Sequence, residues 1–273
     1  MNLYRPLRKL MAILRRDWLI TRSYRITFLV EMLEALMGVA SFYYLSKFVQ
    51  TEALARTLPQ GHDYFSFAIV GFVFFDYLTV AVVAVELSLR EARENGALEA
   101  LLVTQTPVPL LLAGSSLYPF LSASLRTLVY LGWAVLVFDF PVTSANWPAA
   151  ATVLLASVLA FAGLGILSAS YILLFKRGNP ARWAILGISA LVGGVMYPVA
   201  VLPEPLQWLA RLTPISYSLE AVRSALLASA SFASVWPSVR ALLLFAAVLL
   251  PLSLAVFAWS LRRTKMAGTL THF

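Results

Sequence analysis

The sequence predicts an all-α, polytopic membrane protein, and three observations carry the prediction. The first is composition. Of 273 residues, 60% are hydrophobic and 12% charged, and the mean hydropathy is +0.82. A soluble domain is about 45–50% apolar and about 25% charged, so this chain has too little polar surface to stay in water. The second is six long apolar runs. Crossing a hydrocarbon core about 30 Å thick takes about 20 mostly apolar residues in a helix. The third is the placement of Lys and Arg, which gather in alternate connections between the runs. No intervening block is long and polar enough to be a soluble domain. Residues 1–273 therefore read as one transmembrane domain: an interfacial helix over 1–25, a six-span bundle over 26–261 and a tail over 262–273.

The elements follow in order. In residues 3–25, Leu3, Leu7, Leu10, Leu14 and Trp18 recur at steps of four and three and share one helical face. Arg5, Arg8, Arg15, Arg16 and Arg22 fall largely elsewhere, and Pro6 suits an early helical position. A basic amphipathic helix of this kind lies in the membrane interface and does not cross it. The runs at 26–47, 64–88, 110–138, 149–175, 183–202 and 239–261 are read as spans. The fifth is the weakest, because Gly187, Gly193 and Gly194 interrupt it and Pro198 and Pro203 follow.

Six spans put both termini on one side. That side carries fifteen Lys and Arg outside the spans, and the other side carries five. The positive-inside rule makes the basic side cytoplasmic, which places both termini and the connection after the second span in the cytoplasm of a cell with an inner membrane. The chain has no cysteine, so disulfides, thiol nucleophiles and thiolate metal sites are excluded. His62 and His272 lie far apart in polar segments, and no metal site is expected. The sequence contains no G-x-x-x-x-G-K-[ST] loop for nucleotide phosphates.

The connection after the second span, "REARENGALEALLVTQTP" from Arg90 to Pro107, carries five charges between two apolar runs. Asn95 and Gly96 form a helix entry or break. Leu98, Leu101 and Leu102 follow at i, i+3 and i+4, and Glu99 lies in the first turn, where the helix dipole favours a carboxylate. Such a helix must bury its apolar face on headgroups or on a cytoplasmic partner.

The stretch resembles the signature of ABC exporter permeases of the ABC-2 superfamily, roughly E-x-x-x-G-T-L-E-x-L-L-x-T-P. Gly96, Leu98, Glu99, Leu101, Leu102 and Thr104 fall on the pattern, with Glu91 one residue early and Glu94 beside them. Ala97 stands where Thr is usual, and Gln105 and Thr106 separate Thr104 from the proline. A second stretch, "YPVAVLPEPLQWLARLTPISYSLEAVRSALL" from Tyr197 to Leu227, resembles the same family's proline-hinged segment before the last span. Pro203, Pro214, Ile215, Tyr217, Glu220 and Arg223 match there, and Pro198 adds a further break.

The resemblance implies a coupling helix at 95–107 that seats on an ATPase subunit, and short re-entrant or interfacial helices at the outer leaflet. It implies a permease subunit of an ATP-driven exporter for an amphipathic, lipid-linked or glycan substrate. The chain itself would be no enzyme and hold no cofactor. ATP and Mg would be bound by the nucleotide-binding partner, and a second copy or a sister permease would complete the path. Membrane lipids, not nucleic acid, would surround it.

Glu31, Glu34, Asp76 and Arg126 lie within spans. Intramembrane charge is costly, so such residues face the protein interior and pair, and an Asp76–Arg126 pair is feasible in depth. Glu86 lies near a cytoplasmic end, where it could snorkel or sit at the interface. A secondary, ion-coupled transporter is the alternative reading, with Asp76 as its ion site, although no internal repeat accompanies it.

Overall fold

The computed structural model describes residues 25–49, 63–94, 108–140, 145–175 and 178–266, with isolated positions at 11, 14, 15, 19 and 58. The expected coupling helix at 95–107, nearly all of the amphipathic segment at 1–25, and residues 267–273 lie outside the described residues. Those described form eight α-helices and no strand. They are α1 (Arg25–Val49), α2 (Tyr64–Glu94), α3 (Val108–Phe138), α4 (Trp147–Phe175), α5 (Pro180–Val192), α6 (Glu204–Arg211), α7 (Pro214–Leu227) and α8 (Phe232–Met266).

Four of them, α2, α3, α4 and α8, are long and apolar enough to cross a membrane. Helix α1 has 25 residues but carries Glu31, Glu34 and Lys47. The fifth expected span, 183–202, is not one helix. Helix α5 has 13 residues, a rise of about 20 Å, which falls short of a core about 30 Å thick. Asn179 caps it by accepting from the Arg182 N–H at 3.0 Å, with Pro180 next in line. It ends at Gly193, and Gly194 at φ +78° takes a backbone conformation that suits a residue without Cβ. A 3-10 turn at Val199–Val201 leads into α6, and Pro214 opens α7.

Helix α4 is the central post. It makes its most extensive pairing with α8 and packs also on α2 and α7. Its buried face is largely Ala, Gly and Ser, which lets neighbouring backbones approach closely. A Cβ on Gly165 would overlap the carbonyl oxygen of Ala81 in α2, and one on Gly163 would lie 2.7 Å from Leu249 Cβ in α8. Gly165→Val is therefore expected to lower the melting temperature in detergent strongly. Overpacking costs typically about 1–3 kcal/mol, and here the obstacle is backbone. Gly132→Ala, where nothing lies within 4 Å of the new Cβ, should leave melting unchanged.

The bundle has two distinct ends. The start of α2, the end of α3, the start of α4 and all of α7 meet at one, here called the Phe67 end. The end of α2, the end of α4 and the start of α5 meet at the other, the Glu86 end. Tyr43, Phe65, Phe138 and Phe140 form an aromatic cluster at the Phe67 end. At the Glu86 end, Thr264 Oγ1 donates to the Leu173 carbonyl at 3.0 Å and ties α8 to α4.

Candidate functional site

The broken backbone after α5 creates a local need. Carbonyls at Gly194 and Val195 have left the helix and require donors. Arg223, on α7, supplies them. Its Nη1 donates to Gly194 O at 2.7 Å and its Nη2 to Val195 O at 2.9 Å. The same guanidinium donates to Phe67 O of α2, from Nη2 at 2.9 Å and Nε at 3.2 Å, and lies 3.4 Å from the centre of the Phe67 ring. One rigid fork thus joins α2, the broken segment and α7, a task for which a lysine has the wrong geometry. Burial pulls the Arg223 pKa down to about 9, which still leaves the guanidinium charged at neutral pH. Gly71 makes the approach possible, since a Cβ there would overlap Val195 O.

Helix α7 is held from several sides. Ile215, Leu219 and Val222 are buried, and Ser157 Oγ of α4 donates to Ser218 Oγ at 2.8 Å. Tyr217 OH donates to Arg211 O at 3.2 Å, and its ring meets Phe245 of α8. Gln207 Nε2 donates to Leu202 O at 2.8 Å and braces the turn before α6. These elements enclose a cavity of about 480 Å³, lined in part by Phe67, Pro198, Gln207, Tyr217, Glu220 and Arg223. Pro198, Tyr217, Glu220 and Arg223 therefore line one cavity, while Pro214 opens α7 outside its lining. Pro203 sits beside it, exposed, at the start of α6.

Deeper in the bundle, Arg126 of α3 meets Asp76 of α2. Nε donates to Oδ2 at 3.0 Å and Nη2 lies 2.9 Å from the same oxygen. Beside them, Tyr77 OH donates to Ser124 Oγ at 2.8 Å. Glu31 and Glu34 depart from expectation. Both are exposed on α1, and neither makes an ion pair among the described residues. Helix α1 packs through Ala35 and Val39, so Glu34 lies beside the packed stripe and Glu31 one turn before it. Among the described residues, no three His, Asp or Glu side chains gather where they could hold a metal ion.

A third cluster was missed by sequence reasoning. Glu86 does not snorkel; it is 6% exposed. Its Oε1 accepts from Arg182 Nη1 at 3.0 Å and its Oε2 from Asn179 Nδ2 at 2.6 Å. Asn179 Nδ2 also reaches Ser168 Oγ of α4 at 2.9 Å. The one available signal was Asn179-Pro180, a helix-start pattern. Of the docking set, Glu91 and Glu94 lie in the last turns of α2, while Gly96, Leu98, Glu99, Leu101, Leu102 and Thr104 fall outside the described residues.

A helical membrane bundle with a proline-broken, arginine-clamped segment before its last helix is now in view. The family model for ABC-2 type transporters matches residues 8–227. The chain belongs to that family. The match covers both stretches whose motifs pointed there. Among curated proteins, the inner membrane transport permease YadH of Escherichia coli K12 is 25% identical over 166 residues, which are 60% of this chain and 63% of that permease. The permease of the same name from Shigella flexneri aligns with the same figures. The chain thus spans about 63% of the length of these curated relatives. An ABC-2 type permease of several apolar helices is a multi-pass membrane protein.

Proposed function

We propose that the chain is the membrane-spanning subunit of an ATP-driven exporter. The observation that carries this is the signature at 91–104, in a chain of this family that has no phosphate-binding loop among its 273 residues. Such a chain needs a separate nucleotide-binding subunit that supplies ATP and Mg. The segment at 95–107 is the docking helix for it. Two permease copies, or this chain and a sister permease, enclose the path. The cargo is amphipathic, lipid-linked or glycan.

The six-span reading assigns α1, α2, α3, α4, α5 with its broken extension, and α8 to the spans. The Phe67 end is then extracellular and the Glu86 end cytoplasmic. Helices α6 and α7 form the outer re-entrant segment. Exposed Trp208 and Leu212 near α6, with Arg211 stacked 4.6 Å from the Trp208 ring, suit a membrane interface. A reporter active only in the cytoplasm should be active after Phe273 and silent when inserted at Ala145. The reverse would overturn the orientation.

Docking is tested by Glu99→Arg combined with Leu102→Asp. The variant should reach the membrane at parental level and lose the ATPase subunit in affinity purification. Recovery of the ATPase at parental yield would remove the docking assignment. The second reading, an ion-coupled transporter, draws on the partly exposed Asp76–Arg126 pair and the carboxylates of α1. It requires transport that follows an ion gradient without any ATPase.

A further inference from the structure

Helix α5 is attached to α2 in an unusual way. The two pack little against each other along their length. Much of α5 is exposed, with Trp183 at 69% and Leu191 at 56%. Ile185, Leu186 and Val192 give it some apolar packing, and polar ties sit at its two ends. At its start, the Glu86 carboxylate grips Arg182 and Asn179, and Asn179 is also the residue that caps α5. Just past its other end, Arg223 gathers Gly194 O, Val195 O and Phe67 O. Glu86 and Phe67 both lie on α2, which runs 31 residues without an internal proline. By helical rise they are about 28 Å apart.

We propose that Glu86 is a positioning residue for transmission. With Asn179 and Arg182 it forms one of two ties that make α2 and α5 a single lever. A displacement at the end of α2, where the 90–107 segment begins, then reaches the turn at Gly194–Leu202 and its cavity without α5 sliding on α2. The inference rests on the reading of 95–107 as the docking site, but the ties themselves are independent of it. A buried carboxylate with charge-assisted bonds on both oxygens suits such a tie. Apolar contact alone would let a thin, exposed helix slide.

The chain has no cysteine, so Val195→Cys, buried beside the Arg223 clamp, gives a single reporter that labels only when the segment opens. Its labelling by a membrane-impermeant maleimide is followed in membranes holding the full chain. Glu86→Gln cannot accept from both Arg182 and Asn179, and Arg223→Lys cannot span its carbonyls. Each should raise labelling by roughly an order of magnitude, the effect of losing a charge-assisted bond on a local opening equilibrium. Together they should raise it no further than the larger single effect, because freeing either end frees the lever. Sites this far apart ordinarily add independently, so a combined effect equal to the product of the two would overturn the proposal.

Thr264→Val, which breaks a bond at the same end of the bundle but not this tie, should leave labelling unchanged. A comparable rise there would mean general loosening and would also overturn it. Glu86→Leu with Arg182→Leu guards against a misfolded single variant, since a buried pair replaced by apolar residues keeps stability. It should label as fast as Glu86→Gln. Parental labelling in that double would reduce the tie to packing and sink the proposal. ATPase retention on the same membranes reports docking separately. Its absence, with the non-additive cycle intact, supports the lever and removes only the docking reading.

Discussion

Replacing Arg126 by leucine is expected to cost on the order of 3–5 kcal/mol of stability, because it leaves the Asp76 carboxylate inside the bundle without its cation. Both Arg126 contacts fall on one Asp76 oxygen, at 2.9 and 3.0 Å. The side chains are 31% and 21% exposed, which favours the lower part of that range. Adding Asp76→Leu should recover part of the loss, since two apolar side chains need no partner there. Melting temperatures of the two single variants and the double, in detergent, check this. If Arg126 instead serves an anionic cargo, Arg126→Leu melts like the parent and only transport is lost. A rescue by Glu31→Leu or Glu34→Leu in place of Asp76→Leu would move the partnership to α1.

Arg223→Met should be comparably damaging, for a different reason. It strips the donors from Gly194 O and Val195 O together, while Phe67 O keeps its helical bond within α2. Each buried polar group left unsatisfied costs about 1–3 kcal/mol, so the loss is several kcal/mol at one place. The effect should be local first. Amide hydrogen exchange over residues 193–203 should speed up well before the α4–α8 pair loosens. Gly71→Val should reproduce that pattern without touching the arginine, because its side chain would overlap Val195 O and push the segment away. Parental exchange over 193–203 in both variants would mean that the segment is held by something other than this clamp.

The long helices were legible because hydropathy and helix length coincide in them. The run expected at 149–175 is helical over Trp147–Phe175, and that at 64–88 extends to Glu94. The run at 183–202 is helical only as far as Val192, for a physical reason. Apolar residues continue on both sides of Gly193, but hydropathy does not register that the backbone turns there. Asp76 and Arg126 were paired from depth alone, since charges in apolar helices leave few choices, and the structure brings them together. Depth said nothing about direction for Glu31 and Glu34, which are exposed on α1.

Beyond the Asn179-Pro180 helix start, the two ties of α5 had no local signal. Asn179 and Glu86 are 93 residues apart, and Arg223 and Phe67 are 156 apart. The motif marked Arg223, but nothing in the sequence indicated that its partners are backbone carbonyls, or that Gly71 clears the space for them. The docking stretch is the reverse case. Its residues are the most distinctive in the sequence, and their positions at 95–107 lie outside the described residues.

In the proposed mechanism, ATP bound by the partner subunit moves the segment around Arg223. Labelling of Val195→Cys in membranes that hold the chain with its ATPase subunit follows that movement. Adding Mg and ATP should change the labelling rate severalfold, and the change should vanish in Glu99→Arg with Leu102→Asp. A rate indifferent to ATP, but shifted by an imposed proton or sodium gradient, would exclude ATP coupling and favour the ion-coupled transporter.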